Sequence, residues 1–368
     1  MKPIGLYLHI PFCDGKCSYC NFFSKRITEK SKTEYVYRLN NSIEAWGKKL
    51  NRPIDSIYFG GGTPSLLGHE TLIELLTTVK CSFEVTDDAE VTVEVNPSST
   101  DTLDFSVLRK AGFNRLSVGL QSANENELKH LGRRHSVSDA KKTVEAAQSA
   151  GFDNISLDVM LAIPEQSAAS LHRTLDFCAQ CHVQHISAYI LKIEQGTLFY
   201  RNRDSLPFFD DETQAAFYEE TVACLDELGY RQYEISNFCA DGKVSRHNLK
   251  YWHDEEYLGL GPSAHSFLDG RRFYYDNDFE AFYSGKTLDE GIGGYEEEYI
   301  MLALRLSEGL IFDEYRHKFD KTINEKMIDA ARRLEKEGYV KIKDSSLSLT
   351  VKGFLVSNTV IAYLLENT

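Results

Sequence analysis

Three cysteines, Cys13, Cys17 and Cys20, stand at C-x3-C-x2-C spacing directly after the apolar run 6–10. Thiolates this close together favour a soft metal. The chain carries only 8 cysteines in 368 residues and shows no secretion signal, so a disulfide framework is the weaker reading. Zinc sites close with four protein ligands, commonly in paired C-x2-C knuckles, and no fourth cysteine completes this triplet locally. Three thiolates suit a [4Fe–4S] cluster that leaves one iron open to an exogenous ligand.

The elements that must position this triplet follow a regular alternation. Short β-branched or alternating apolar runs at 6–10, 56–59, 91–95, 116–119, 155–161 and 186–191 read as strands. Between them, 32–50, 70–80, 103–111, 138–150 and 168–181 carry apolar residues at helical period. Gly112 and Gly151, each followed by Phe, mark helix ends before the next strand. This βα succession predicts an α/β fold with a parallel sheet, open or curled into part of a barrel. Gly60, Gly61, Gly62, Thr63 and Pro64 follow the second strand, and Glu94 to Pro97 end the third. Gln121 comes just after the fourth strand, and Asp158 interrupts the fifth. Side chains at the C-terminal strand ends of a barrel share one mouth, so these groups are expected beside the cysteines.

Across nearly the whole chain these motifs, in this order, resemble the oxygen-independent coproporphyrinogen III oxidase family of radical S-adenosylmethionine (radical-SAM) proteins, and best its heme-chaperone (HemW-like) branch. The resemblance implies a partial (β/α)6 TIM-like radical-SAM barrel with an α+β extension and a small C-terminal winged-helix-like domain. It implies that Cys13, Cys17 and Cys20 hold a [4Fe–4S] cluster whose open iron is chelated by S-adenosyl-L-methionine (SAM). It carries SAM contacts over to Gly61, Gly62, Thr63, Glu94, Gln121, Arg133 and Asp158, with Tyr19 against the adenine. Tyr7 and His9, on the strand leading into the cluster, are expected to line the cavity. The residue types suit these roles: glycine admits close approach of ligand atoms, and arginine offers a carboxylate two parallel donors. Read singly, each is more often a turn, a cap or a surface charge. No separate catalytic side chain is assigned.

Departures from the family pattern discriminate between its branches. The oxidase carries a fourth cysteine two residues after the third, where this chain has Phe22. It also has a longer arm before the cluster than the 12 residues preceding Cys13. His247-Asn248-Leu249-Lys250-Tyr251-Trp252 matches the chaperone branch's H-N-x-x-Y-W signature in full. An imidazole can ligate heme iron while neighbouring aromatic faces cover a porphyrin. The alternative is structural: His247 and Asn248 cap a turn while Trp252 packs into the core. His265 is a further candidate of the same double reading. At Ala162 the family usually has Gly, and a small local adjustment is expected there. The implied cargo is heme, passed to an acceptor hemoprotein, with a respiratory one as a candidate and transient contact with a membrane protein allowed. The competing functions are oxidative decarboxylation of coproporphyrinogen III and radical-SAM chemistry on an unrelated small molecule.

The composition, 42% hydrophobic and 26% charged, is that of a globular protein, and the net charge of −14 opposes nucleic-acid binding. No apolar run approaches the roughly 20 residues of a membrane span, so a cytoplasmic location is expected. The alternation stops near residue 200, which predicts a radical-SAM core at 1–200, an α+β extension at 201–295 bearing H-N-x-x-Y-W, and a C-terminal domain at 296–368. There, helices at 298–306 and 323–337 precede a hairpin at 339–343 and 347–350. That segment carries 11 Lys and Arg against 13 Asp and Glu, so a DNA-binding footprint is missing and a packing or docking role is expected. Cys81, Cys178, Cys181, Cys224 and Cys239 read as core or surface thiols.

Overall fold

Six parallel strands lie side by side in chain order: β1 (Ile4–Ile10), β2 (Ile54–Gly61), β3 (Val85–Val95), β4 (Arg115–Gln121), β5 (Ile155–Leu161) and β6 (His185–Ile190). This computed structural model describes residues 2–367. Helices α1 (Glu29–Lys49), α2 (His69–Ser82), α3 (Phe105–Ala111), α4 (Val137–Ser149) and α5 (Ala168–Gln180) alternate with the strands. Each turns an apolar stripe onto the sheet; α1 does so with Tyr35, Val36, Leu39 and Ile43. Thr28 and Ser31 form a capping box that starts α1, and Ser136 with Asp139 does the same for α4. The α/β partial barrel expected from the alternation is found.

The segment after residue 200 extends this sheet at both edges. After α6 (Asp211–Glu227), β7 (Asn237–Cys239) pairs antiparallel with β6. Beyond it, β8 (Tyr257–Leu260) lies parallel to β1 at the opposite edge, with Leu6 opposite Leu258. Strands β9 (His265–Leu268), β10 (Arg271–Tyr275) and β11 (Thr287–Ile292) follow antiparallel, and with the two-residue edge strand Arg231–Gln232 beside β7 they complete a 12-stranded sheet. Between β7 and β8 the chain passes from one edge to the other through a single short helix, α7 (Arg246–Trp252). The backbone N–H groups of Arg246 and His247 donate to the Glu90 carboxylate at 3.1 and 3.0 Å. Lys250, at 6% exposure, pairs with Asp55 at 2.9 Å. Asp55 and Ser56 open β2, so α7 seals the N-terminal end of the strands.

The C-terminal part runs α8 (Glu296–Ala303), a two-residue strand at Leu310–Ile311, α9 (Phe312–Phe319), α10 (Glu325–Lys336) and the hairpin β12 (Val340–Lys343) with β13 (Ser346–Leu349). This is the element order of a winged helix, with a three-stranded antiparallel sheet. Two more helices follow, α11 (Val351–Leu355) and α12 (Ser357–Leu365). All eight cysteines are free. Among the described residues, no helix is long and apolar enough to cross a membrane.

Ala162, just after β5, has φ +58. The local adjustment expected at this position therefore leaves the backbone in the glycine-favouring conformation and loads strain on an alanine. The left-handed region costs an L-residue about 1–2 kcal/mol, and a new glycine gives back part of that through unfolded-chain entropy. Ala162→Gly should thus stabilise the fold by about 0.5–1 kcal/mol in urea denaturation. A midpoint that stays put or drops would mean the position carries no strain.

Candidate functional site

The loop after β1 is fixed by backbone hydrogen bonds before any cofactor is considered. Cys20 N–H donates to the Cys17 carbonyl at 3.2 Å, and Ser18 N–H donates to the Leu131 carbonyl at 3.0 Å. All three cysteines are half-buried and line one cavity of about 880 Å³ at the C-terminal ends of the strands. Thr63 Oγ1 lies 3.5 Å from Cys13 Sγ, and Arg133 Nη1 lies 3.6 Å from Cys17 Sγ. Burial pushes the Cys20 thiol up, and Cys17 and Cys13 push it further in the same direction. Three thiolates can share this loop only if a cation takes up their charge. Among the described residues no three His, Cys, Asp or Glu side chains close in as the ligands of one ion do. Three thiols on one loop, all lining one cavity, supply the donor chemistry of a cubane with one open iron.

Beside the cysteines, Gly61 takes φ +110, and a Cβ on Gly62 would sit 2.6 Å from the Phe12 carbonyl oxygen. Only glycine allows the end of β2 to run this close to the cysteine loop. Glu94 on β3 accepts from Tyr58 Oη at 3.0 Å and from Gly61 N–H at 3.1 Å. Burial, then the nearby Asp158 charge, raises its carboxyl to about 7. Both Asp158 oxygens lie within 3.2 Å of Ser117 Oγ, and burial raises this carboxyl too. Arg133 donates Nη2–H to the Gly119 carbonyl at 2.8 Å, while its Nε is buried without a partner. Gln121 holds φ +68 at the end of β4, a strained conformation of the kind that gathers at functional sites. Tyr19, Gly61, Gly62, Thr63, Glu94, Gln121, Arg133 and Asp158 all line the cavity. Tyr7 stands behind the lining, its hydroxyl 3.0 Å from His9 Nδ1, and His9 Nε2 reaches the Phe23 carbonyl at 3.1 Å.

The H-N-x-x-Y-W helix lies beneath this cavity and away from its mouth. His247, 1% exposed, uses both ring nitrogens: Nδ1 is 2.9 Å from Ser56 Oγ and Nε2 is 2.8 Å from Tyr251 Oη. Burial, with the Lys250 and Arg115 charges, lowers it to about 3, so the ring stays neutral. The idea of an imidazole free for heme iron, flanked by covering aromatics, meets a different geometry: both nitrogens are engaged and Tyr251 serves as partner. Asn248 alone of the four signature residues lines the cavity; Trp252 is half-buried at the helix end. His265 is exposed on β9, paired with Glu290 at 2.9 Å.

The sequence reading passed over Arg115, Ser117, Tyr58 and Tyr189, all cavity residues. The signal was there: counting back from Gln121 by twos along β4 gives Gly119, Ser117 and Arg115 on the same face. Arg115 is 1% exposed, and its Nε and Nη1 have no hydrogen-bond partner. The cavity also reaches Arg305 and residues 354–359, which sequence patterning gave no reason to bring to strands so distant along the chain.

Residues 7–178 match the model of the radical SAM superfamily, and 296–356 match that of the HemN C-terminal domain. Over 381 aligned residues the chain is 34% identical to the heme chaperone HemW of Mycobacterium tuberculosis, covering 99% of this chain and 95% of that one. The chain belongs to the HemW family of radical-SAM proteins. The HemW of Bacillus subtilis is 32% identical over 373 residues, with 96% and 97% of the two chains covered. Among solved structures, the coproporphyrinogen III oxidase HemN of Escherichia coli superposes with a TM-score of 0.83 at 21% identity, over 98% of this chain and 90% of that one. That likeness establishes the shared fold.

Glu94 gives this HemW-family site a pH signature. Its carboxyl is raised from 4.5 to about 7, so the unfolded chain releases this proton first and folding loses stability as pH rises across that window. Glu94→Gln should remove that loss, on the order of 3 kcal/mol at full shift, when urea midpoints at pH 5 and pH 7.5 are compared. Parallel pH dependences in parent and variant would mean Glu94 ionises normally.

Proposed function

We propose that this protein is a radical-SAM heme chaperone: it binds heme and hands it to an acceptor hemoprotein. The observation that carries the reading is the match to heme chaperones along the full chain. Phe22 supports it, since this side chain is 63% exposed where the oxidase family carries its fourth cysteine. In this reading Cys13, Cys17 and Cys20 hold a [4Fe–4S] cluster. Gly61, Gly62 and Thr63 offer backbone to the SAM amino group, Arg133 keeps its free Nε for a carboxylate, and Asp158 and Gln121 face the ribose. Glu94 and Tyr19 complete the SAM surroundings, with Tyr7 behind them. When bound, this pair of cofactors supplies one-electron chemistry. The protein's share is to hold Asp158 and Glu94 in place through Ser117 and Tyr58 and to keep water from the thiols. His247 supports the site from below, with Asn248 reaching the cavity, and Tyr251 and Trp252 belong to the same helix. We take residues 1–200 as the core, 201–295 as its extension and 296–368 as the C-terminal domain, acting in the cytoplasm. A respiratory hemoprotein, reached by transient contact at a membrane, is the acceptor class we favour.

Two measurements check the cofactor assignment. Anaerobic reconstitution should load the parent with about four irons per chain and leave Cys17→Ala without a cluster; a full cluster in that variant would sink the assignment. Arg133→Ala should keep its iron yet bind SAM roughly 10- to 100-fold more weakly, the value of a lost charged hydrogen bond. The function itself is tested by adding heme and, separately, coproporphyrinogen III with SAM and a reductant. A Soret shift saturating near one heme per chain, with coproporphyrinogen unconverted, is expected. Repeated turnover to protoporphyrinogen would replace the chaperone reading with the oxidase one.

A further inference from the structure

The cavity that begins at the cysteines ends against the C-terminal helices, and its far end is built for an anion. Arg305, half-buried in the wall, donates to Ser357 Oγ at 3.2 Å and to Asn358 Oδ1 at 2.5 Å, both neutral acceptors. The acid whose charge acts on it is Glu234, which burial raises to about 7 and which accepts from Ser236 N–H at 3.0 Å. Burial lowers the Arg305 guanidinium, the sign of a cation lacking full compensation. Ser357, Asn358 and Thr359, the first turn of α12, also line the cavity, and no side chain caps that helix. An uncapped first turn leaves N–H donors and positive dipole facing the same space. Deeper in the same cavity, Arg115 is 1% exposed with Nε and Nη1 unpartnered. Glu90 and Asp158 balance its charge, but buried polar groups are nearly always satisfied, so these two unpartnered donors point independently to acceptor atoms entering the cavity.

The rim agrees. Lys16 and Lys192 line it beside one acid, Glu194, and like Arg305 they form no ion pair among the described residues, although the chain as a whole carries −14. Apolar surface stands open beside these cations: Phe22 is 63% exposed, Tyr189 41% and Val356 43%, all on the same cavity. A ligand matched to this surface has a flat apolar body and carboxylates at one edge. Heme has that shape, with two propionates.

We propose that Arg305 and the first turn of α12 hold the propionate carboxylates of heme, with the macrocycle lying against Phe22, Tyr189 and Val356. This assignment rests on the heme-carrier reading and adds to it a site on the C-terminal helices, away from H-N-x-x-Y-W. The test titrates parent, Arg305→Gln, Arg305→Lys and Phe22→Ala with heme and with heme dimethyl ester, which keeps the ring and iron but lacks carboxylates. Arg305→Gln should bind heme roughly 10- to 100-fold more weakly than the parent, a charged hydrogen bond's worth. It should bind the ester as the parent does, and keep its iron content and SAM affinity. Arg305→Lys should recover part of the heme affinity, and Phe22→Ala should weaken heme and ester alike. Heme affinity unaltered in Arg305→Gln, or heme and ester weakened equally, would overturn the propionate site while leaving the carrier reading standing. A parent that binds neither ligand would overturn both.

Discussion

The rest of the structure depends on balancing charge inside the sheet. Inward-facing positions of the parallel strands bring Arg115, Glu90, Glu94 and Asp158 into one low-dielectric space. An isolated buried charge costs several kcal/mol, and breaking a buried pair leaves that cost exposed. Arg115 keeps its charge because Glu90, Tyr58, Tyr233 and Asp158 surround it, which outweighs the burial that would lower it. Glu90 in turn is held by the N–H groups of Arg246 and His247, so the same balance anchors α7. Since α7 carries the chain from the β6 edge to the β1 edge, the closing of the barrel floor and its electrostatics are one arrangement.

That arrangement grades the site from bottom to top. At the floor, every polar atom of His247 finds a protein partner, and Ser156 and Tyr233 flank His185 at 2.7 and 2.8 Å. Toward the mouth the partners run out: Arg133 Nε is orphaned, and the thiols face the cavity. A fully satisfied network rigidifies, whereas unsatisfied donors await ligands or water. The His247 and His185 network is thus built as scaffold, while Arg115 near the floor and Arg133 near the mouth keep unpartnered donors in the cavity wall. The H-N-x-x-Y-W helix belongs to the scaffold: Ser56 pairs with its His247, Asp55 with its Lys250, and Glu90 with the backbone N–H groups of its first turn.

Much of this was legible in the sequence. Periodicity located the six parallel strands and their helices, because the helices bury a single stripe while the strands read as short apolar runs buried on both faces. The cysteine spacing and Gly61, Gly62 and Thr63 declared the mouth, because few backbones tolerate such close approach. What stayed hidden depends on non-local pairing. Nothing in residues 257–260 says that they lie parallel to β1, so the crossing of α7 under the barrel could not be read. The same holds for His247, whose local sequence allows ligation or capping equally until Ser56 and Tyr251 are placed beside it. Arg115 could have been found by alternation along β4, but a lone arginine in a strand reads as an edge charge until the strand is known to be central.

The shape of the upper half bears on carriage versus catalysis. Radical chemistry benefits from a site closed to water, whereas cargo transfer needs an opening wide enough for the cargo to leave. Here one cavity serves both ends: the cysteines and the strand ends form its inner wall, and Arg305 with residues 354–359 forms the outer one. Phe22 stands at that opening on the cysteine loop itself, two residues beyond Cys20, so whatever covers this aromatic also approaches the cluster site. An exposed phenylalanine beside a polar cavity is costly in hydration unless an apolar ligand covers it, and its burial would contribute roughly 1.5–3 kcal/mol to binding. Placing it where the oxidase family holds a cysteine exchanges a thiol for contact area. The loop that would ligate iron thereby also offers a surface to a large flat ligand.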